Sequence, residues 1–303
     1  MIKMDLSAWN APELKDDIPH GDMPGDKIKI DDTHIDKAKK IFPLLIKEME
    51  KCAKDKVTVS VFGGSGVGKS EIASLLAYYL NDSGIPAYVM SGDNYPYRIP
   101  MYNDAERLSV FRSAGLKGLV ESGRYDNDVQ KKLNELWKDE TDSDPKLIET
   151  YDWLEYYQKA GRKALKKYLG TDLEQNYEEV NAIISAFNEG KEKIYLKRMG
   201  RSEDERWYDE IDFSNIQVLI IEWTHGGNAC LEGIDVPVLL NSTPEETREH
   251  RRLRARDGKT DSSFTTMVLQ IEQEELDDRA SSAKIIISKA GELLDPRDFK
   301  EVS

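Results

Sequence analysis

Val61-Phe62-Gly63-Gly64-Ser65-Gly66-Val67-Gly68-Lys69-Ser70 is the stretch that decides the fold of this chain. From Gly63 to Ser70 it fits the pattern G-x-x-x-x-G-K-[ST] at every fixed position. The run before the loop, Val57 to Phe62, is β-branched and reads as a buried strand. After it, Ile72, Leu75, Leu76, Tyr79 and Leu80 recur at helical spacing. Glycines between a strand and a helix let successive backbone N–H groups wrap phosphate oxygens without interference from Cβ atoms. Gly63, Gly64, Ser65, Gly66, Val67, Gly68, Lys69 and Ser70 are therefore expected to cradle a nucleoside triphosphate. Lys69 would serve the β- and γ-phosphates, and Ser70 would place its hydroxyl on a metal ion. The helix N-terminus adds partial positive charge. ATP with Mg²⁺ is the expected ligand pair.

Outward from the loop, Gly84 stops the helix and Pro86 to Ser91 reads as a second strand. Ile216 to Glu222 is the clearest strand in the chain, and Val236 to Leu240 and Ile285 to Ser288 are two more. Strands separated by helical segments predict a parallel sheet covered on both faces. The expected fold is α/β, a three-layer P-loop NTPase fold with a five-stranded parallel sheet in the order 2-3-1-4-5. A long stretch from Pro100 to Ser214 separates the second and third strands. It carries two apolar stripes, Leu147, Tyr151, Leu154 and Tyr157, continued by Leu165 and Tyr168, and then Leu173, Tyr177, Val180, Ile184 and Phe187. It is too long for a loop and reads as a helical insertion, a substrate-binding or lid subdomain. Residues 1–31 are polar and proline-containing and predict an irregular arm. Thr33 to Cys52 predicts an amphipathic helix capped by Asp32 or Thr33, with a kink or break at Pro43. The chain divides on this reading into 1–55, a core of 56–99 with 215–303, and the insertion 100–214.

A net charge of -14 argues against a nucleic-acid partner, which calls for a basic stripe. No apolar run approaches the length of a membrane span, and residues 1–21 hold acids and prolines where a signal peptide needs an apolar stretch. The two cysteines, Cys52 and Cys230, lie outside any Cys-x-x-Cys pair, and a disulfide between them is weakly supported. Their low number suits a reducing compartment, so the expectation is a cytoplasmic protein with no membrane partner.

Three further features accompany the loop. Glu222 closes the run Val218-Leu219-Ile220-Ile221. A carboxylate there is either a metal-associated acid at a strand end or an acid turned to solvent. Trp223-Thr224-His225-Gly226-Gly227 then forms a turn that brings Thr224 and His225 towards the phosphates, with His225 either a base or a hydrogen-bonding bystander. Ser91-Gly92-Asp93-Asn94-Tyr95 follows the second strand. Ligands bind beyond the carboxyl ends of such strands, so Asp93 is placed to take a proton from an acceptor hydroxyl; a turn aspartate is the equal alternative. Arg248, Arg251, Arg252, Arg254 and Arg256 form a basic segment in an acidic chain. Arg252 and Arg256 share a helix face and are the candidates for neutralising the transferring phosphoryl group.

Taken in order, these features resemble the uridine kinase and phosphoribulokinase family of P-loop kinases from about Lys56 to Gly291, the long middle apart. Ser91-Gly92-Asp93-Asn94-Tyr95 is similar to the family's Asp-aromatic motif, and Ile220-Ile221-Glu222 to the end of its third strand, where the family's next glycine is Trp223 here. Phe187-Asn188-Glu189-Gly190 to Tyr195 resembles the segment before that strand. Thr243-Pro244-Glu245-Glu246 leading to Arg251-Arg252-Leu253-Arg254-Ala255-Arg256-Asp257 resembles its arginine lid, with Gly258-Lys259 in place of the family's Arg-Gly. The resemblance implies Asp93 as catalytic base, Glu222 as metal-associated acid, the arginine segment as lid, and Lys289-Ala290-Gly291 near the adenine.

The function expected is an ATP-dependent kinase acting on a hydroxyl of a small metabolite of nucleoside, sugar or sugar-phosphate type. Arg98, Arg107 and Arg112 are candidates for binding an acidic acceptor group. Tyr151, Trp153, Tyr156 and Tyr157 either wall the acceptor pocket or, by their helical spacing, pack a core. The alternative is a non-catalytic or regulatory P-loop ATP-binding protein or ATPase. A GTPase or an ABC-type ATPase is excluded because the chain has neither Asn-Lys-x-Asp nor Leu-Ser-Gly-Gly.

Overall fold

In chain order the elements are α1 (Asp32–Cys52), β1 (Val57–Gly63), α2 (Lys69–Asp82), β2 (Ala87–Ser91), α3 (Pro100–Glu121), α4 (Asn127–Lys138), α5 (Leu154–Lys166) and α6 (Tyr177–Asn188). They continue with β3 (Lys193–Met199), β4 (Arg206–Asp212), β5 (Val218–Glu222), β6 (Val236–Asn241), α7 (Arg248–Arg254), α8 (Ser263–Ala280), β7 (Ile285–Ser288) and β8 (Leu293–Leu294). The computed structural model describes residues 2–15, 18–254 and 262–299.

Every residue of β1 is buried, as its unbroken β-branched run requires of a central strand. β5 lies on one side of it and β6 on the other, both parallel. The sheet order is β2-β5-β1-β6-β7-β8. Its first five strands, numbered along the core, follow 2-3-1-4-5 as expected. β8 is the addition: the chain reverses at Gly291, where φ is +81°, and pairs antiparallel with β7. Val57, Val59 and Val61 turn to one face, where α1 and α2 cover them. Leu219 and Ile221 of β5 turn to the other, beneath Val180, Ile184 and Phe187 of α6. On that same side Leu276 and Ala280 of α8 cover Phe62, Leu239 and Ile286.

α1 runs unbroken through Pro43, and its cap is Asp31, which accepts from the backbone N–H groups of Thr33 and His34. Phe42, Leu45, Ile46 and Met49 are fully buried around the proline, and that packing outweighs the one backbone hydrogen bond a proline removes. The arm before α1 is irregular but anchored: the Trp9 ring stacks on Phe42 with centroids 4.5 Å apart. Tyr78 donates to the Glu13 carbonyl at 2.7 Å.

α3, α4 and α5 form a separate apolar cluster that Met267, Val268 and Ile271 of α8 complete, so α8 joins the insertion to the core. The stripe that begins at Leu147 is a short 3-10 turn, Pro145–Glu149, followed by α5. α6 belongs to the sheet's own covering layer rather than to that cluster. The pair β3–β4 is an antiparallel hairpin with Lys193 opposite Asp212. Its alternation is hidden in the sequence because Lys197 and Arg198 occupy buried positions. Cys52 and Cys230 are both free thiols. Among the described residues no helix is long and apolar enough to cross a membrane.

Candidate active site

The loop closes over the N-terminus of α2. Gly66 and Gly68 have φ of +77° and +100°, values L side chains rarely adopt. A Cβ on Gly68 would lie 2.7 Å from Nε2 of His34 on α1. Lys69 Nζ donates to the Gly64 carbonyl at 3.1 Å, so the ammonium lies within the loop's curve. Ser70 Oγ donates to Glu222 Oε2 at 3.2 Å, and Ser91 Oγ donates to Glu222 Oε1 at 2.6 Å. Register explains the meeting: Glu222 pairs with Val61 on one side and Ser91 on the other, so three strand ends converge.

Glu222 is only 3% exposed. Burial is the main force that pushes its carboxyl up to about 8; the charges of Asp93 and Asp26 add to it, and Lys69 opposes. Crowded carboxylates with a hydroxyl beside them suit a hard divalent cation, which takes one or two protein oxygens and keeps several waters. Ser70 and Glu222 are the residues that fit Mg²⁺.

Asp93 sits in the 3-10 turn Gly92–Asn94, directly after β2, with its neighbours Gly92 and Asn94 buried. A Cβ on Gly92 would overlap the Trp223 ring. Trp223, which stands where the resemblance expects glycine, is thus the floor of the Asp93 turn, 1% exposed and packed on Tyr177. Of the arginine segment, Arg252 points outward, half exposed and paired with Glu249 at 3.2 Å. Arg256 lies outside the described residues. Arg251 is the one brought to the loop: its Cγ would lie 3.0 Å from a Cβ on Gly66. Its guanidinium donates to Thr247 Oγ1 at 2.5 Å. Helix phase alone separates Arg251 from Arg252, and the sequence does not say which face α7 turns to the loop.

Opposite the loop stands a polar cluster that the sequence does not announce. Arg107 of α3 donates through Nε to Glu174 Oε1 at 2.5 Å and lies 3.7 Å from Glu272 of α8. Glu174 is 0% exposed and also accepts from Asn103 Nδ2 and from the Gly170 N–H. Burial raises its carboxyl, but the Arg107 charge and hydrogen bond outweigh that and hold it below the ordinary value. Glu272 is raised, mainly by burial, and it senses the charges of Lys69 and Asp93 across the site. His225 is buried against Trp223, and burial pushes it down to about 3, so it stands as the neutral imidazole. Arg107 alone among the three candidate arginines belongs to this cluster. Arg112 is fixed on Asp142 and the Trp137 carbonyl, and Arg98 on Tyr168 and Glu106. Trp153 and Tyr157 are buried in the insertion's core, where Tyr157 donates to Asp142 at 2.8 Å. Their helical spacing therefore reports packing.

The glycine loop on β1, the carboxylate ending β5 beside it and the strand order define a P-loop nucleotide-binding protein. No family model matches the chain. Over 259 residues it is 35% identical to the bifunctional alpha-galactosidase/sucrose kinase of Mediterraneibacter gnavus, a match covering 86% of this chain and 23% of that protein. The chain thus spans about a quarter of the length of this curated relative. The chain is also similar to solved structures. D-glycerate 3-kinase from Cryptococcus neoformans is 12% identical with a TM-score of 0.46, covering 85% of this chain and 97% of its own. A Silicibacter protein described as a fructose transport system kinase is 15% identical with a TM-score of 0.46, covering 78% of this chain and 93% of its own. Likenesses at that level add nothing to the fold already read from the sheet.

Proposed function

We propose that this chain is a small-molecule kinase that transfers the γ-phosphoryl group of ATP to a hydroxyl of a neutral sugar. The observation that carries the reading is the convergence of Ser70, Glu222 and the Asp93 turn at three adjoining strand ends above the loop. Phosphoryl transfer asks a protein chiefly for position and charge. Gly63 to Ser70 orient the triphosphate, and Lys69 carries positive charge to it. Ser70 and Glu222 hold Mg²⁺, which when bound neutralises the phosphate oxygens. Asp93 takes the proton of the acceptor hydroxyl. Arg251, the arginine that meets the loop, would neutralise the phosphates, and the lid role of Arg252 and Arg256 is what the family resemblance implies.

The acceptor side supports a neutral substrate. The cations there are already engaged, Arg107 by Glu174 and Glu272 and Arg279 by Glu275, while burial raises the carboxyls of Glu272 and Glu275. A phosphorylated or carboxylated acceptor would meet carboxyl groups and cations that are already paired, whereas hydroxyls match carboxyls and amides as hydrogen-bond partners. The kinase named in the Mediterraneibacter relative supports the same class. Of the two activities in that name, only the kinase calls for a nucleoside triphosphate. We place the protein in the cytoplasm, where ATP is available.

The test is ADP release from ATP and Mg²⁺ over a panel of sucrose, monosaccharides, nucleosides, sugar phosphates and glycerate. Turnover is expected with one or more neutral sugars and not with the anionic acceptors. ATP hydrolysis that no acceptor changes would instead identify a regulatory ATPase.

A further inference from the structure

The arm before α1 does more than cover the core. The chain passes over the ends of β2 and β5 at Gly21, where a Cβ would lie 3.3 Å from Glu222 Oε1 and 3.7 Å from the Ser91 Cβ. The next residue, Asp22, turns its side chain inward, and that side chain is 8% exposed. Its Oδ1 accepts from the Ser91 N–H at 2.8 Å and from Asn94 Nδ2 at 3.0 Å. Its Oδ2 accepts from Arg198 Nη1 at 2.8 Å and from the Tyr88 hydroxyl at 3.0 Å. Asn94 in turn accepts the Met199 N–H at 3.0 Å. One carboxylate therefore ties together the arm, β2, the turn bearing Asp93, and the hairpin strand β3.

Burying a carboxylate is costly unless its oxygens are filled by donors. Here the donors sit on both sides of Asp93, at Ser91 and at Asn94. A three-residue turn pinned at both of its flanks has little freedom to move the residue between them. Asp93 itself is exposed, as a residue that meets a substrate must be. Both oxygens of Asp22 are taken up by Tyr88, Ser91, Asn94 and Arg198, so it acts on the reaction through the turn.

We propose that Asp22 is a positioning residue for phosphoryl transfer: it holds the Gly92–Asn94 turn so that Asp93 meets the acceptor hydroxyl, which makes the N-terminal arm part of the active site. The proposal rests on the reading of Asp93 as the base. Small displacements of a reacting group cost rate out of proportion to stability, about 10²-fold for a shift near 1 Å.

The experiment compares Asp22→Asn, Asn94→Ala and Asp93→Asn in the full chain. Each is assayed for kcat, for KM of both substrates, for affinity towards a non-hydrolysable ATP analogue and for melting temperature. Asp22→Asn is expected to lower kcat about 10- to 100-fold while ATP affinity and KM for ATP stay as in the parent. Asn94→Ala, which removes the donor from the turn side only, is expected to lower kcat in the same manner by a smaller factor. If Asp22→Asn melts too low to assay, Asn94→Ala decides alone. Parent-like kcat in both variants, with Asp93→Asn inactive, overturns the positioning role. Retained transfer in Asp93→Asn overturns instead the assignment of the base, and the proposal falls with it.

Discussion

The two sides of the site are built by opposite means. The proposed nucleotide side is one continuous segment, Gly63 to Ser70, whose backbone would do the binding and whose shape follows from local conformation at Gly66 and Gly68. The proposed acceptor side is assembled from side chains of distant segments: Asn103 and Arg107 on α3, Glu174 in a loop, His225 after β5, and Glu272 and Glu275 on α8. The first is rigid because few conformations are open to it. The second holds only while its charges remain mutually paired. Substitutions should therefore fail differently on the two sides, the first in binding and rate and the second in stability.

The largest effect is expected where the two sides meet. Asp93→Asn should lower kcat about 10²- to 10⁴-fold, the range for losing a general base, while an ATP analogue binds as before by calorimetry. Unchanged turnover would remove Asp93 from the mechanism. On the acceptor side, Arg107→Met leaves Glu174 and Glu272 without their cation. Breaking a buried pair from one side costs about 3–5 kcal/mol, to be read as a lower midpoint in urea. A parent-like midpoint would mean that the cluster is dispensable to the fold.

On the nucleotide side, Gly68→Ala combines a φ of +100° with a Cβ 2.7 Å from His34 Nε2. About 1–3 kcal/mol of strain is expected, with weakened ATP binding as its clearest sign. An alanine variant that binds ATP as the parent does would show that the loop adapts.

The smallest effect depends on pH. Burial pushes Glu275 up to about 7 from an ordinary 4.5. Between these values the folded chain keeps a proton that the unfolded chain has lost, so this group's contribution to stability falls as pH rises through that window and stays lowered above it. Glu275→Gln should therefore melt higher than the parent near pH 8 and gain little near pH 4.5. A gain independent of pH would assign the effect to packing.

Much of the core could be read from residue order alone. The run Val57 to Phe62, the isolated run ending at Glu222 and the run at Ile285 each carry an apolar pattern that only a buried strand satisfies, and they form β1, β5 and β7. What failed to show was wherever tertiary contact overrules local preference. α1 continues through Pro43 because its flanking residues are fully buried. The β3–β4 hairpin is masked by Arg198, a buried charge met by Asp22, 176 residues earlier in the chain, at 2.8 Å and by Asp209 at 3.0 Å.

By itself, the sequence determined that a glycine-rich loop of the phosphate-binding pattern joins a buried strand to a helix, because glycine spacing and backbone conformation are local properties. It also marked Asp93 and Glu222 as carboxylates at strand ends, since an acid closing an apolar run is visible without a fold. Only the tertiary structure decided that Arg251 rather than Arg252 meets the loop, and that Arg107 rather than Arg98 or Arg112 joins Glu174 and Glu272. It alone brought Asp22 to the turn beside the candidate base. A charged side chain takes its role from the partner it meets, and these partners lie far apart in the chain.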